Sequence, residues 1–127
     1  MEKPVPQPTE VSRPYWDGLE RGVLTLQRCT GCGKFRHYPR LLCDSCYSLE
    51  VEWVQASGRG ELHSWTVAHH AFHGGFAEEI PYVLAIVDLE EGVRAMGRLS
   101  GVPAGDVRIG LPVEFTVEEH LPVFVPR

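Results

Sequence analysis

The chain has no apolar run long enough to cross a bilayer. A spanning helix needs about 20 predominantly apolar residues, and the longest uninterrupted run here is YVLAIV at 82–87, a strand length. The opening MEKPVPQPTEV has no apolar h-region and does not read as a secretory signal. The expected location is therefore the cytoplasm, with no membrane partner. A basic surplus is missing as well: 12 Lys and Arg stand against 17 Asp and Glu, a net charge of −5. Nucleic-acid binders usually show a basic excess or a basic face. No Ser-His-Asp signature, phosphate-cradling glycine loop or His-Glu-x-x-His helix is present. There is no internal repeat and no low-complexity tract. Cysteine is scarce, and all four cysteines of the 127 residues fall between positions 29 and 46.

That clustering is the first positive signal. The spacing is Cys29-x2-Cys32-x10-Cys43-x2-Cys46. Disulfides are disfavoured in the cytoplasm, and paired cysteines there more often bind metal. Two Cys-x2-Cys knuckles on facing hairpins bring four sulfurs to the corners of a tetrahedron, a geometry that suits one structural Zn²⁺. Gly31 and Gly33 suit the tight turn. Iron in a rubredoxin-like site is the other occupant four thiolates accept. Four cysteines fill every position, so chemistry at the metal is not expected. Arg28, Lys34, Arg36 and Arg40 lie in or beside the cluster, with no acid between 28 and 40. They serve either to offset thiolate charge or to meet a phosphate or an acidic partner surface.

The flanking patterns give an organisation. Ser12 reads as an N-cap, Pro14 as a first-turn residue and Gly22 as a stop, with Tyr15, Trp16, Leu19 and Val23 near helical spacing. This predicts a short helix over about 13–21 behind a proline-rich arm. VLTLQR (23–28) and EVEWVQ (50–55) read as strands framing the cysteines, and SGRGE (57–61) as the break between modules. The expected units are an arm and helix at 1–22, a ribbon at 23–57 and a barrel at 58–127. Five strand patterns follow the break. ELHSWTVAHH (61–70) comes first, then YVLAIVDL (82–89) as a central strand, paired through a short turn with VRAMGRL (93–99). PVEFTVEE (112–119) alternates cleanly, and LPVFVP (121–126), bounded by prolines, reads as an edge. Five short strands suggest a small barrel, closed or partly closed.

These segments in this order, Tyr15-Trp16 with Gly18-Leu19, LTLQRC, the four-cysteine ribbon with Tyr38-Pro39-Arg40, WVQASGRGELHSWTV, IPYVLAIVDLEEGVRAMGRL and IGLPVEF, are informative together. The chain resembles, over roughly 12–126, the acyl-CoA-associated family that joins a rubredoxin-like zinc ribbon to an OB-fold. The resemblance implies a mainly β fold: N-terminal helix, ribbon, then a five-stranded OB barrel. It implies one structural zinc on Cys29, Cys32, Cys43 and Cys46, and no catalytic residue on this chain. It also implies an accessory role beside a thiolase-like subunit, in condensation, acyl transfer or retro-aldol cleavage of acyl-CoA, including steroid side-chain thioesters. The surfaces expected to meet that partner or the acyl-CoA are Tyr15 and Trp16, the basic edge of Lys34, Arg36 and Arg40, and the loop residues Phe72 and Phe76.

Other clusters are weaker. HHAFHGGF (69–76) offers His69, His70 and His73, but two glycines follow and oppose a helix that would align them. A long loop anchored by Phe72 and Phe76 is the simpler expectation, and such loops are where binding tends to sit. His63, Glu78, Glu79 and Asp88 are acid–base candidates only loosely. The alternative of another class is a nucleic-acid-binding ribbon and barrel, with Trp53, Trp65 and Tyr82 as stacking platforms; the net charge opposes it.

Overall fold

The computed structural model describes residues 7–71 and 73–127. Phe72, one of the expected contact residues, lies outside them. Helix α1 (Arg13–Glu20) forms where expected and stops at Gly22, whose φ of +79° suits glycine best. Its start differs from expectation. Ser12 has helical backbone angles and makes no side-chain cap; its hydroxyl pairs instead with Thr9 Oγ1 at 2.9 Å, holding the preceding turn. The backbone carbonyl of Ser12 receives the N–H groups of Tyr15 and Trp16. Tyr15, Gly18 and Leu19 form the buried face. A Cβ on Gly18 would lie 3.0 Å from Thr25 Oγ1, so glycine lets the helix lie close to the first strand.

Three strands make the ribbon sheet: β1 (Thr25–Cys29), β2 (Phe35–Arg36) and β3 (Val51–Gln55), in the order β2-β1-β3, all antiparallel. β2 was not legible as a strand because it has only two residues. The remaining five strands, β4 (Arg59–Ala68), β5 (Tyr82–Leu89), β6 (Arg94–Leu99), β7 (Pro112–Glu118) and β8 (Leu121–Pro126), close a barrel in the order β4-β5-β6-β8-β7. Closure comes from β7 on β4, Arg59 opposite Glu114 through Glu61 opposite Pro112. The expected edge role of β8 is corrected: it pairs antiparallel with β7 and parallel with β6. The prolines permit this because the β6 pairing uses only Val123 and Phe124, between Pro122 and Pro126. Proline lacks an N–H, so it can flank a paired stretch without leaving a donor unmatched.

Sequence alternation decides what each strand buries. Ala85, Val87 and Leu89 of β5, Ala95 and Leu99 of β6, and Val113 and Phe124 fill the barrel. Phe115 meets Phe124 edge to face, with ring centroids 5.9 Å apart. A fully buried phenylalanine contributes about 2–3 kcal/mol through its apolar area. The same apolar cluster includes Tyr15, Leu19, Leu24 and Leu26, so helix, ribbon and barrel share one core. The SGRGE break is tied down accordingly: Ser57 N–H donates to Glu91 at 2.9 Å, and Phe115 N–H to the Gly58 carbonyl at 2.7 Å. Among the described residues no helix is long and apolar enough to cross a membrane.

Candidate functional site

The two knuckles are built alike. Cys29 N–H donates to the Lys34 carbonyl and Gly33 N–H to the Cys29 carbonyl; Cys43 N–H donates to Ser48 and Tyr47 N–H to Cys43. The residue after each second cysteine has positive φ, +79° at Gly33 and +62° at Tyr47. Glycine accepts this freely, and a non-glycine residue at a cost of about 1 kcal/mol or more. Gly31 has no such backbone requirement, but its surroundings are close. A Cβ there would lie 3.3 Å from Ser48 Cβ, a tight approach, and in ordinary contact with the Cys46 and Cys29 sulfurs.

The four sulfurs lie within 4.8 Å of one another, with Cys29 to Cys46 at 3.4 Å and Cys32 to Cys43 at 3.8 Å. A tetrahedron with metal–sulfur bonds of about 2.3 Å has edges of about 3.8 Å. The donor set therefore fits one four-coordinate, thiophilic ion. Backbone donors prepare the anionic form: the Cys32 N–H holds Cys29 below the usual thiol range, and the N–H groups of Cys46 and Ser45 bring Cys43 down to about 6. Ser48 N–H is the largest single influence on Cys46 and favours its thiolate, but the contacts with Cys29, Cys32 and Cys43 and burial together outweigh it and push Cys46 up to about 12. A divalent cation is what lets all four ionise together. Cys29 and Cys43 are fully buried, whereas Cys32 and Cys46 face outward. A closed set of four ligands offers no position for substrate, so this centre organises structure.

The basic residues divide in two. Lys34 reaches across to the second knuckle, to Asp44 at 2.9 Å and Ser45 Oγ at 3.0 Å, and Arg40 lies 3.6 Å from the other Asp44 oxygen. The Lys34 ammonium beside Asp44 holds that carboxyl below its usual range. Arg28 pairs with Glu52 at 2.9 Å. Arg36 turns inward and is only 6% exposed. Its Nε donates to Gln27 Oε1 at 2.7 Å and its Nη2 to the Arg40 carbonyl at 2.9 Å, while Arg40 N–H donates to the same Gln27 oxygen. Beside it, His37 lies between Tyr15 and Tyr38, with ring centroids 5.2 and 4.0 Å away. Burial holds its pKa down to about 4.

A groove of about 920 Å³ opens on the far side of Tyr38. Its lining comes from α1 and the ribbon loop, with Tyr15, Trp16, Tyr38 and Pro39, from β5, β6 and β8, with Tyr82, Leu84, Met96, Arg98 and Val123, and from Phe76. Tyr38 spans the gap, its phenol oxygen accepting from Met96 N–H at 3.2 Å. Three expected contact residues, Tyr15, Trp16 and Phe76, thus meet around one groove, and Lys34, Arg36 and Arg40 lie elsewhere. Tyr15 itself is buried. Sequence reasoning missed Leu84, Met96 and Arg98. A signal was available: in RAMGRL, alternation puts Met96 on the outward face between Arg94 and Arg98, an apolar residue where charge is expected.

The other candidates do not converge. His73 Nδ1 accepts from Gly75 N–H at 2.9 Å, starting a single helical turn over Gly74–Phe76. Among the described residues the cysteines are the one cluster able to hold a metal. His63 and Arg94 share Asp88 at 3.0 and 2.9 Å on the barrel surface, away from the groove. Glu79 pairs with Arg98, which lies over the Tyr82 ring. Trp53 packs on the core from β3, and Trp65 is partly exposed on β4, so the three proposed stacking aromatics form no continuous platform.

Comparison with known proteins assigns this architecture. Residues 16–52 match the family described as ChsH2, rubredoxin-like zinc ribbon domain, and residues 53–118 match ChsH2, C-terminal OB-fold domain. A DUF35 domain-containing scaffold protein of Methanocaldococcus jannaschii is 38% identical over 96 residues, 75% of this chain and 67% of that protein. The benzoylsuccinyl-CoA thiolase subunit BbsA of Thauera aromatica is 34% identical over 111 residues, 87% of this chain and 68% of that one. A probable enoyl-CoA hydratase alpha subunit of Thermomonospora curvata is 38% identical over 117 residues, 88% of this chain. The chain spans only 36% of that last protein. A solved chain of the Ltp2-ChsH2(DUF35) aldolase superposes with a TM-score of 0.85 at 35% identity, covering 96% of this chain and 98% of that one. With a four-cysteine ribbon and a closed five-stranded barrel matched along its length, the chain belongs to the ChsH2/DUF35 family of zinc-ribbon and OB-fold proteins.

Proposed function

We propose that this chain is an accessory, scaffolding subunit of a thiolase-like acyl-CoA-processing complex. The observation that carries the reading is the likeness to a chain of the Ltp2-ChsH2(DUF35) aldolase along nearly the full length of both. The site chemistry points the same way. The four cysteines leave no position open on a shared ion, and His63, Asp88 and Glu79 are engaged in ion pairs, His63 with Asp88 and Glu79 with Arg98. The ribbon also exposes Leu41, Leu42, Tyr47 and Leu49 close together in sequence, apolar surface that a partner would remove from water. The ion is zinc, held by Cys29, Cys32, Cys43 and Cys46, and it keeps the ribbon in shape; the complex is a cytoplasmic hetero-oligomer. Helix (to residue 22), ribbon (23–57) and barrel (58–127) act as three contact surfaces on one shared core. The partner supplies the catalytic residues. This chain supplies an ordered interface that stabilises the partner and orients its thioester, in condensation, acyl transfer or retro-aldol cleavage, with steroid side-chain CoA thioesters within that range.

The test is co-expression with the cognate thiolase-like protein. A stable hetero-oligomer whose activity neither chain shows alone is expected. Two separately stable chains, with full activity on one of them, would overturn the reading.

A further inference from the structure

Each barrel strand has two neighbours, but the ribbon sheet ends in an open edge. In the order β2-β1-β3, strand β3 pairs with β1 alone. The backbone bonds at the two ends of that pair fix its phase: Ala56 N–H donates to the Leu24 carbonyl, and Thr30 N–H to the Glu50 carbonyl. An antiparallel pair exchanges bonds at every second residue. Leu26 with Val54 and Arg28 with Glu52 are therefore the bonded pairs. Val51, Trp53 and Gln55 turn their backbone N–H and C=O groups the other way. Among the described residues none of these groups meets a hydrogen-bond partner. An unpaired row of donors and acceptors is a template for another strand.

The side chains indicate what kind of strand fits. Alternation places Glu50 and Glu52 on one face of β3, and Leu49, Val51 and Trp53 on the other. Both glutamates are exposed; Glu52 pairs with Arg28, and Glu50 makes no ion pair among the described residues. Leu49 is 64% exposed, and Val51 and Trp53 are partly buried. Tyr47 and Leu49, part of the exposed apolar surface of the ribbon, lead directly into the strand. A second copy of β3 fits poorly. Centred on Val51 or Glu52, an antiparallel self-pair sets Glu50 opposite Glu52 or Glu52 opposite itself; centred on Trp53, it leaves the two Glu52 residues diagonal neighbours. Like charges directly opposite are destabilising.

We propose that β3 receives an extended segment of the thiolase-like partner as an added strand, one whose residues alternate between basic and apolar. The inference rests on the reading of the chain as an accessory subunit and names a surface that holds its partner. The outward groups of Val51, Trp53 and Gln55 bond the incoming backbone. Its basic side chains face Glu50 and Glu52, and its apolar ones cover Leu49, Val51 and Trp53.

Amide hydrogen exchange by NMR on the full metal-loaded chain reads the edge directly. In the free chain the Val51, Trp53 and Gln55 amides should exchange about tenfold or more faster than those of Glu52 and Val54; equal protection would overturn the open edge. The separately purified partner should slow the same outward amides by about tenfold or more. Gln55→Pro removes an outward donor where an edge strand tolerates proline, and Glu50→Lys reverses an exposed charge. Each should raise the Kd of the complex by about fivefold to tenfold, with metal content and circular dichroism unchanged. Glu50→Lys needs no backbone change, so it decides the matter even if the proline variant misfolds. A folded Glu50→Lys chain that binds as tightly as the parent would overturn the proposal. Assembly that leaves the outward amides exchanging as in the free chain also overturns it, and leaves the accessory role standing. If no complex forms, a short peptide alternating lysine with valine is the probe. Protection of the outward amides by that peptide supports the edge and counts against the accessory role alone; no protection overturns the proposal. Protection that grows with the chain's own concentration would give the edge to a second copy and overturn it as well.

Discussion

Gly60 tests the barrel most sharply. It stands where β4 is shared, opposite Leu89 of β5 and Val113 of β7. A Cβ at this position would lie 2.4 Å from the Asp88 carbonyl oxygen and 2.7 Å from Val87 Cγ1. Carbon and carbonyl oxygen normally approach to about 3.3 Å, so Gly60→Ala must part β4 from β5 by roughly 1 Å. Neither neighbour can give way cheaply: one contact is backbone, and Val87 is fully buried. Overpacking of this kind costs about 3 kcal/mol. An unfolding entropy of about 2.1 cal/mol/K per residue then puts the fall in Tm near 10 °C. Gly105→Ala is the control, because nothing lies within 4 Å of its added carbon; it should melt within about 2 °C of the parent. Differential scanning calorimetry reads both. A Gly60→Ala chain that melts like the control would refute the close crossing of β4 and β5.

Three further outcomes follow from the ribbon. Cys43→Ser removes a buried ligand, and the purified chain should retain less than about a tenth of the parent's metal by elemental analysis; full retention would contradict the four-thiolate site. Gln27→Leu leaves Arg36 Nε and Arg40 N–H without their shared acceptor and should cost about 2–3 kcal/mol in urea unfolding; an unchanged midpoint would contradict that network. His37 is held neutral by burial, with its pKa near 4. A histidine depressed in the folded state binds its proton more readily when unfolded, so stability rises with pH across this window. Its contribution should be complete above about pH 6.5 and decline towards pH 4, by about 2–3 kcal/mol in all. His37→Phe should flatten that part of the profile relative to the parent; parallel profiles would show that His37 is not the group responsible.

What was legible in the sequence follows from the range of the interactions. The helix, the cysteine spacing and the five barrel strands depend on local periodicity, turn glycines and ligand geometry, all of which appear as pattern. β8 was misread as an edge because the prolines mark where pairing stops, and whether a short stretch between them meets a second neighbour depends on closure of the whole barrel. Ser12 looked like a cap because its type favours one, but Thr9 competes for its hydroxyl three residues earlier. The basic run from 28 to 40 gave no hint that Arg36 is buried, since that depends on Gln27 across the β1–β2 pair. The groove was half legible. Trp16 and Phe76 were expected contacts on the helix and on the loop, while which residues of β5 and β6, such as Leu84 and Met96, line the groove depends on how helix and ribbon pack against the barrel.

The central claim is that this chain completes a thiolase-like enzyme without supplying its catalytic residues. The most direct measurement is a titration of the purified, metal-loaded chain into its separately purified partner, with acyl-CoA turnover as the readout. Activity should rise from near zero and saturate at a fixed molar ratio, with a single larger species by light scattering at that ratio. Activity that is already complete in the partner alone, or that persists in this chain alone, would contradict the account.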